Sequence, residues 1–385
     1  MYIKITSDII DKANEEDQRC VQLIKLLDWT IVQGKHLVFG EKKDLDRIMG
    51  LDLDTKLNGF KYILNQYATI GSIVDQLKWH AEFSLKEQSH RDVNHKTICI
   101  NIDDLPLFDV YKETHLLCEN LSDINFYDYV LKFYKKLKEI NINNKYYPIL
   151  GGGSTTHKVY KSEILKKNAF VVCIADSDKR SPNGSLGDTA KGIQKVDRQE
   201  PFNAFFYHLE KVTEVENLIP INIYEKYISE QVGEEQKEKF LKIKTIGQQC
   251  SQYLDYFDMK KGITIKNILE EGENAKYQKN IATSIQLNIE KKCAEINQCI
   301  EEVKNALSHI IISKNLKIDT DKYIKASEVV VYGLGDNILD HILECQKCNL
   351  NEIQKEDLRL SQFNEYQTIG ELLCNWTCCL DEVRS

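Results

Sequence analysis

Three short apolar runs in the middle of the chain constrain the fold most strongly. They span residues 115–118, 146–150 and 170–175, and acidic residues follow the first and the third. Runs of this length are typical of buried strands rather than helices. Amphipathic helices are predicted between them over about 122–140, with Ser122 as the N-cap, and over about 155–167. Alternation of strands and helices predicts a parallel sheet wound in βαβ units.

The flanking regions have a different character and suggest further domains. A chain of 385 residues is long enough for two or three domains. We predict an N-terminal, mostly helical domain at 1–110, an α/β domain at 111–220 and a C-terminal helical domain at 221–385. The fold class is therefore α/β, with a mainly parallel central sheet between mostly helical regions. A C-terminal apolar face between Ile281 and Ile310 indicates either a core helix or a dimer helix.

Composition limits the class of protein and its compartment. The net charge is −8, so any binding to nucleic acid has to come from a local basic patch. The 12 cysteines are thinly spread, which is typical of a cytosolic protein rather than of a disulfide framework. The start of the chain lacks the pattern of a signal peptide, and no run of 18 apolar residues predicts a membrane span. We expect a cytoplasmic protein.

Acidic residues follow two of the three apolar runs. Glu119 follows the first run, and Asp176 and Asp178 follow the third. In open parallel sheets, functional groups collect outside the carboxyl ends of the strands. Residues i and i+2 of an extended chain point to one side, so the two aspartates can face one ion. Oxygen ligands without His or Cys favour Mg²⁺ or Mn²⁺, and such ions typically serve phosphoryl chemistry.

Two further features border this edge of the predicted sheet. Gly152 and Gly153 follow the second run, where glycines let a ligand approach the backbone closely. Glu214 and Glu216 come later in the chain and would share one face if that segment were extended. Glu214 taken with Glu210 is more typical of a solvated helix face.

These motifs together resemble the Toprim domain. That domain is the metal-binding domain of topoisomerases, bacterial primases and the overcoming-lysogenization-defect nucleases. The matching elements are Glu119-Asn-Leu-Ser-Asp123 after the first strand, glycines after the second, Asp176-Ser-Asp178 after the third and the later Glu216-Asn217. The resemblance covers about residues 114–220, less than a third of the chain.

The resemblance implies roles for individual residues. Glu119 would act in general acid/base work or complete the metal site, and Asp176 and Asp178 would hold Mg²⁺. Asp123 matches a second acidic residue of the first motif, and Glu216 matches the later carboxylate of the nuclease branch. No topoisomerase-like Tyr setting or primase-type zinc module accompanies the motifs. The chain is therefore most similar to stand-alone Toprim nucleases of bacterial antiviral defence, including retron-associated and abortive-infection types.

A local basic patch surrounds the third run. Nine basic residues lie between positions 158 and 198, against five acidic ones. We expect Lys158, Lys191 and Arg180 to contact substrate phosphates, and Lys179 with Arg180 to stabilise charge on the phosphorane. Gly152 and Gly153 would lie against the substrate. A run of surface lysines that only solvates the protein is the alternative interpretation.

The sequence thus predicts a Mg²⁺- or Mn²⁺-dependent nuclease of DNA or RNA, with tRNA among the candidate substrates. A toxic effector of antiphage defence is the expected role. Candidate partners besides nucleic acid are a regulatory protein or ribonucleoprotein and a second copy of the chain. The alternatives are an Asp-x-Asp nucleotide-sugar transferase with Mn²⁺, which has no use for Glu119, and a non-catalytic Toprim-like binder. A zinc site at Cys345 and Cys348 is disfavoured because the later cysteines do not repeat their spacing.

Overall fold

The described part of the chain forms two compact units. The computed structural model describes residues 1–105, 108–231, 233–264, 267–268, 272–285 and 329–383. The first unit comprises Met1–Ala175, Asp188–His208 and Tyr366–Ser385, and the second comprises Asp176–Gly187 and Leu209–Glu365. The chain therefore enters the second unit at Asp176, within the predicted 111–220 domain.

The first unit begins with a five-stranded sheet and its helices. The elements are β1 (Tyr2–Lys4), α1 (Ser7–Asn14), α2 (Gln18–Val32), β2 (Leu37–Phe39), α3 (Lys42–Met49), α4 (Asn58–Asn65), α5 (Tyr67–Val74), β3 (His80–Ser84), β4 (His90–Asp92) and β5 (Thr97–Asn101). The strand order is β2-β1-β3-β5-β4. All neighbours are parallel except β4 and β5. Helix α2 buries the predicted apolar stripe, including Cys20, Ile24 and Ile31.

The second sheet of this unit is the one that the apolar runs predict. Its elements are β6 (Thr114–Cys118), α6 (Leu121–Lys138), β7 (Asn143–Asn144), β8 (Tyr146–Leu150), α7 (Thr156–Lys166), β9 (Val171–Ala175), α8 (Asp188–Asp197) and β10 (Ala204–His208). The order β10-β9-β6-β8 is wholly parallel. The parallel βαβ prediction is confirmed. The predicted N-cap of α6 is wrong, because Asn120 rather than Ser122 precedes the helix.

The second unit consists mainly of helices. Its elements are α9 (Ile221–Gln231), α10 (Glu234–Gln249), β11 (Gly262–Thr264), α11 (Glu273–Ser284), β12 (Val329–Tyr332) and α12 (Ile338–Glu344). Strands β11 and β12 form an antiparallel pair. Of the predicted apolar face that ends at Ile310, Ile281 is buried in α11, whereas residues 286–310 lie outside the described residues.

The last elements are α13 (Leu360–Thr377) and β13 (Cys378–Cys379), and from Tyr366 onward they belong to the first unit. The Tyr366 ring packs edge-on to Phe133 with a centroid distance of 5.2 Å. The Trp376 ring is fully buried and contacts Phe170. Strand β13 pairs with β7. The C-terminal segment therefore completes the core around the parallel sheet.

Gly370 of α13 lies directly against Tyr134 of α6. A Cβ added to Gly370 would collide with Cβ of Tyr134. Gly370→Ala is therefore expected to lower the free energy of unfolding by about 1–3 kcal/mol through overpacking. Urea denaturation measures this change. Gly71→Ala in α5 is the matched control, because its Cβ would make only an ordinary contact with Phe39. An equal loss of stability in both variants would contradict the close packing of Gly370.

Among the described residues, no helix is long and apolar enough to cross a membrane.

Candidate metal centre

Three carboxylates of the second unit converge on one point. One carboxylate oxygen each of Asp176, Glu214 and Glu216 lies within 4.8 Å of the other two. Glu214 is only 4% exposed and Glu216 only 3%. Buried carboxylates are rare unless a cation accompanies them. We call these three residues the carboxylate cluster.

The segment after β9 is fixed against residues 212–216 by hydrogen bonds. The carbonyl oxygen of Thr213 accepts hydrogen bonds from the backbone N–H groups of Ser177 and Asp178, both at 3.0 Å. The Ser177 hydroxyl donates to the carbonyl of Val212 at 2.7 Å. Asp176 Oδ1 accepts from the N–H of Val215 at 2.9 Å. The backbone thus holds the Asp176 carboxylate beside the segment that carries Glu214 and Glu216.

Asn217 organises the segment that carries the two glutamates. Its Oδ1 accepts a hydrogen bond from the Glu214 N–H at 3.0 Å. Its side-chain amide donates to the carbonyls of Leu254 and Phe257. Glu214 is extended, with φ −145° and ψ 167°, but Glu216 lies in a 3-10 helix over Val215–Leu218. The two side chains meet although the segment is not a strand, so the predicted extended geometry holds only at Glu214.

A lysine side chain lies among the three carboxylates. Lys260 Nζ is 3.1 Å from Glu214 Oε2, 3.2 Å from Glu216 Oε2 and 4.0 Å from Asp176 Oδ2. The backbone N–H of Met259 also donates to Glu214 Oε1 at 2.9 Å. Glu216 Oε2 is buried, and its contact with the Lys260 ammonium is an ion pair rather than a hydrogen bond. The Lys260 ammonium thus faces three carboxylates.

Burial and neighbouring charges shift the pKa values of the buried groups in this site. Burial raises the pKa of Glu214 well above its ordinary value, the neighbouring Glu216 raises it further, and Lys260 opposes both effects. Burial also raises the pKa of Glu216. Burial alone would lower the pKa of Lys260, but Glu214, Glu216 and Asp176 raise it above its ordinary value. The carboxylates therefore hold the Lys260 ammonium in its charged form.

The donor set suits a hard divalent cation. Its ligand atoms are carboxylate oxygens only, without His or Cys. Octahedral Mg²⁺ with bonds of 2.0–2.1 Å needs neighbouring ligand oxygens about 3 Å apart. Small side-chain rotations bring oxygens that lie within 4.8 Å of one another to that spacing. Glu216 Oε2, which forms an ion pair with Lys260 but accepts no hydrogen bond, is a buried acceptor that such a cation would satisfy.

Asp178 lies outside the carboxylate cluster. Its backbone is left-handed, with φ 52°, so the extended conformation predicted for Asp176-Ser-Asp178 is wrong at this residue. Its carboxylate packs against Gly187, where any Cβ would collide with it. The Gly187 N–H donates to the carbonyl of Ser177 at 2.8 Å. The role of Asp178 as a metal ligand stays a prediction.

Glu119 belongs to the first unit, at the carboxyl end of β6. Its carbonyl oxygen accepts a hydrogen bond from the Gly152 N–H at 3.1 Å. Gly152 and Gly153 are both left-handed, with φ 71° and 62°, which glycine adopts without steric cost. A Cβ added at Gly153 would meet open space. The glycine turn therefore lies next to the backbone of Glu119, as their places after neighbouring strands predict.

Asp123 has a structural role in the first unit. Its Oδ2 accepts a hydrogen bond from the backbone N–H of Asn120 at 3.0 Å, in a capping box at the start of α6. A carboxylate in this position also interacts favourably with the helix dipole. Capping accounts for this acidic residue, and its role as a metal ligand stays a prediction.

The predicted phosphate-binding residues divide between the two units. In the first unit, Lys158 on α7 and Lys191 on α8 are exposed. Lys158 lines a shallow depression of about 400 Å³ together with Lys161 and Lys166. In the second unit, the carbonyls of Lys179 and Arg180 accept hydrogen bonds from Thr213 and Gln278. These contacts fix the backbone of both residues.

Glu214 and Lys260 are not among the residues that the sequence predicts as ligands or partners in this site. The alternation of Glu214 with Glu216 is the signal that places their side chains together, whereas Glu214 taken with Glu210 is more typical of a solvated face. Lys260 carries no local signal, because it lies far along the chain in a turn before β11. Within the described residues, neither of the two groups of potential metal ligands includes Cys345 or Cys348.

Comparisons of the chain with protein-family models, with curated proteins and with solved structures found no match. The fold and the site therefore define a class only: an α/β protein with a wholly parallel four-stranded sheet and a buried carboxylate cluster.

Proposed function

We propose that this protein is a divalent-metal-dependent nuclease that hydrolyses phosphodiester bonds of DNA or RNA. The observation that carries the proposal is the carboxylate cluster, in which three carboxylates, two of them buried, converge around the ammonium of Lys260. Buried acidic residues with raised pKa values, such as Glu214 and Glu216, are costly to fold and are typical of functional sites. The Toprim resemblance of residues 114–220 supports the same chemistry.

The residues have distinct parts in this proposal. Asp176, Glu214 and Glu216 would hold Mg²⁺ or Mn²⁺, which supplies charge neutralisation of the phosphate when bound. Glu119 would accept a proton from the attacking water or complete the metal site, as the Toprim resemblance implies. Lys179 and Arg180 would stabilise the negative charge of the transition state. These assignments of Glu119, Lys179 and Arg180 come from the sequence.

The substrate class follows from the basic residues. Exposed Lys158, Lys161 and Lys191 offer phosphate contacts on a chain whose net charge is −8. A local patch of this kind favours a polyanion that contacts several lysines at once. A cytoplasmic effector of antiphage defence, restrained by a protein or ribonucleoprotein partner, is the biological role that we propose.

A non-catalytic binding protein is the second candidate. The observation in its favour is Lys260, because an internal ammonium can serve as the permanent counter-ion of the carboxylate cluster. The nucleotide-sugar transferase alternative gives no role to Glu214 or Glu216, which lie with Asp176 in the cluster. The two candidate functions differ in one requirement: a nuclease needs a metal ion at the carboxylate cluster, and a non-catalytic binding protein does not.

Incubation with nucleic acids tests the proposal directly. The wild-type chain is incubated with plasmid DNA, single-stranded DNA and tRNA in Mg²⁺ or Mn²⁺, and cleavage is followed on gels. We expect cleavage that EDTA abolishes and that Asp176→Asn lowers by about 10³-fold or more, because a metal ligand is lost. Asp188→Asn, at an exposed position of α8, is the matched control and should cleave normally.

Two results would contradict the proposal. One is the absence of cleavage of all three substrates by a folded protein that still binds nucleic acid, which would favour the binding protein. The other is cleavage that persists in EDTA or in Asp176→Asn, which would assign the activity to a different site or to a contaminant.

A further inference from the structure

A second group of potential metal ligands lies in the first unit, and its chemistry differs from that of the carboxylate cluster. Glu87, His90 and Cys99 each offer one ligand atom, and these atoms lie within 4.8 Å of one another. Here a thiol and an imidazole accompany one carboxylate. This donor set suits a borderline transition metal such as Zn²⁺ and does not suit Mg²⁺.

The sheet brings two of the three donors together. His90 on β4 and Cys99 on β5 are direct partners in the antiparallel register. Side chains of directly opposite residues lie on the same face, with Cβ atoms about 4.5–5.5 Å apart. Their proximity therefore follows from backbone pairing and does not depend on a chance arrangement of flexible side chains.

The loop before β4 carries Glu87, the third donor, and hydrogen bonds hold this loop in place. The backbone N–H of Glu87 donates to Ser84 Oγ at 3.0 Å, at the end of β3. His90 Nδ1 lies 2.9 Å from the carbonyl oxygen of Gln88. A histidine that binds a metal usually donates its other ring N–H to a carboxylate or a backbone carbonyl. This contact leaves Nε2 of His90 as the ligand atom.

The exposure of the three residues fits an ion that enters from solvent. Cys99 is 3% exposed and fixed in the sheet, whereas Glu87 and His90 are exposed. Zinc bonds of 2.0–2.3 Å in a tetrahedron place ligand atoms about 3.5 Å apart. The required contraction from 4.8 Å is about 1 Å, and the two exposed side chains can make it.

We propose that Glu87, His90 and Cys99 bind Zn²⁺, with the fourth position left to water or to an added ligand. Binding replaces the thiol proton of Cys99, which is released to solvent. The site joins the three-residue edge strand β4 to β5 and to the loop that follows β3. Its zinc chemistry is independent of the proposed nuclease activity.

Cobalt substitution of the full chain tests this site. Co²⁺ is titrated into metal-free protein in excess Mg²⁺, which keeps the carboxylate cluster supplied with its own ion. We expect a thiolate-to-cobalt charge-transfer absorption that saturates at one equivalent and disappears when Zn²⁺ is added. Carboxylates alone give no such band, so the readout reports on the cysteine.

Substitutions show whether Glu87, His90 and Cys99 produce the charge-transfer absorption. Cys99→Ser should abolish it, and Cys250→Ser, in the second unit, should leave it unchanged. Glu87→Gln, at an exposed position, should weaken Zn²⁺ binding by about tenfold or more without affecting folding. The proposal is overturned by the absence of a band in the wild-type protein, by a band that survives Cys99→Ser, or by unchanged Zn²⁺ affinity in folded Glu87→Gln.

Discussion

Lys260→Met is expected to lower the free energy of unfolding by about 3–5 kcal/mol at neutral pH, because it leaves buried carboxylates without their ammonium. The Lys260 side chain is 23% exposed, while those of Glu214 and Glu216 are 5% and 4% exposed. Removing one partner of a buried ion pair costs far more than removing an exposed one. Urea denaturation in the absence of divalent cations measures the change.

The same variant reports on metal binding. Without the competing ammonium, Mn²⁺ should stabilise Lys260→Met more than it stabilises the wild type. A cation at about 100 times its dissociation constant adds about 2.7 kcal/mol to the free energy of unfolding. Lys261→Met, at the exposed neighbouring position, is the control and should change little in either condition. Equal stabilisation of all three proteins by Mn²⁺ would contradict competition between Lys260 and the metal, and no stabilisation of any of them would contradict metal binding by the carboxylate cluster.

The pH dependence of Lys260→Met has a defined sign. Burial raises the pKa of Glu214 and Glu216 above the ordinary 4.5, and loss of Lys260 removes an interaction that lowers both values. Between the folded and unfolded pKa values the folded state binds more protons than the unfolded state, so acidification stabilises the fold. The variant should regain stability as the pH falls from neutral towards 4.5. A loss of stability over that window would contradict the electrostatic account.

Glu119→Gln is expected to lower the cleavage rate by about 10²–10⁴-fold, the usual contribution of a general acid or base. The substitution keeps the shape of the side chain and removes its charge. If Glu119 acts as a base, Mn²⁺ should bind to the variant with unchanged affinity, as calorimetry can measure. Asp176→Asn should instead weaken both cleavage and Mn²⁺ binding.

A matched change elsewhere in the first unit controls for the loss of one negative charge. Glu15 is exposed and forms only a surface ion pair with Lys12, so Glu15→Gln should cleave at the wild-type rate. Normal cleavage by Glu119→Gln would remove this residue from the proposed mechanism while leaving the carboxylate cluster in place. A joint loss of cleavage and Mn²⁺ affinity would identify Glu119 as a ligand.

The central sheet was predictable because its signals are local. Strands β6, β8 and β9 have five residues each, and the apolar runs and intervening helices mark them clearly. Strands β1 and β2 have only three residues each, which is too short for a periodic pattern to mark. The five-stranded sheet that contains them was therefore only partly visible in a region predicted to be mostly helical.

The candidate site was predictable only in part, because some of its contacts depend on residues that are distant in the sequence. Asp176 and Glu216 were selected from the sequence, and the structure brings them together with Glu214. The left-handed backbone of Asp178 depends on its tertiary contact with Gly187, which no spacing rule encodes. Lys260 reaches the carboxylate cluster from a distant turn, and only the folded chain reveals that contact.

The contribution of α13 and β13 to the first unit has a consequence for synthesis of the chain. The core around Phe170 includes the ring of Trp376, and the hydroxyl of Thr114 donates to the Trp376 carbonyl at 2.6 Å. During translation, the parallel sheet leaves the ribosome long before these partners exist. Nascent or prematurely terminated chains that stop before Tyr366 would display uncovered aromatic surface, which makes them natural clients for chaperones and proteases.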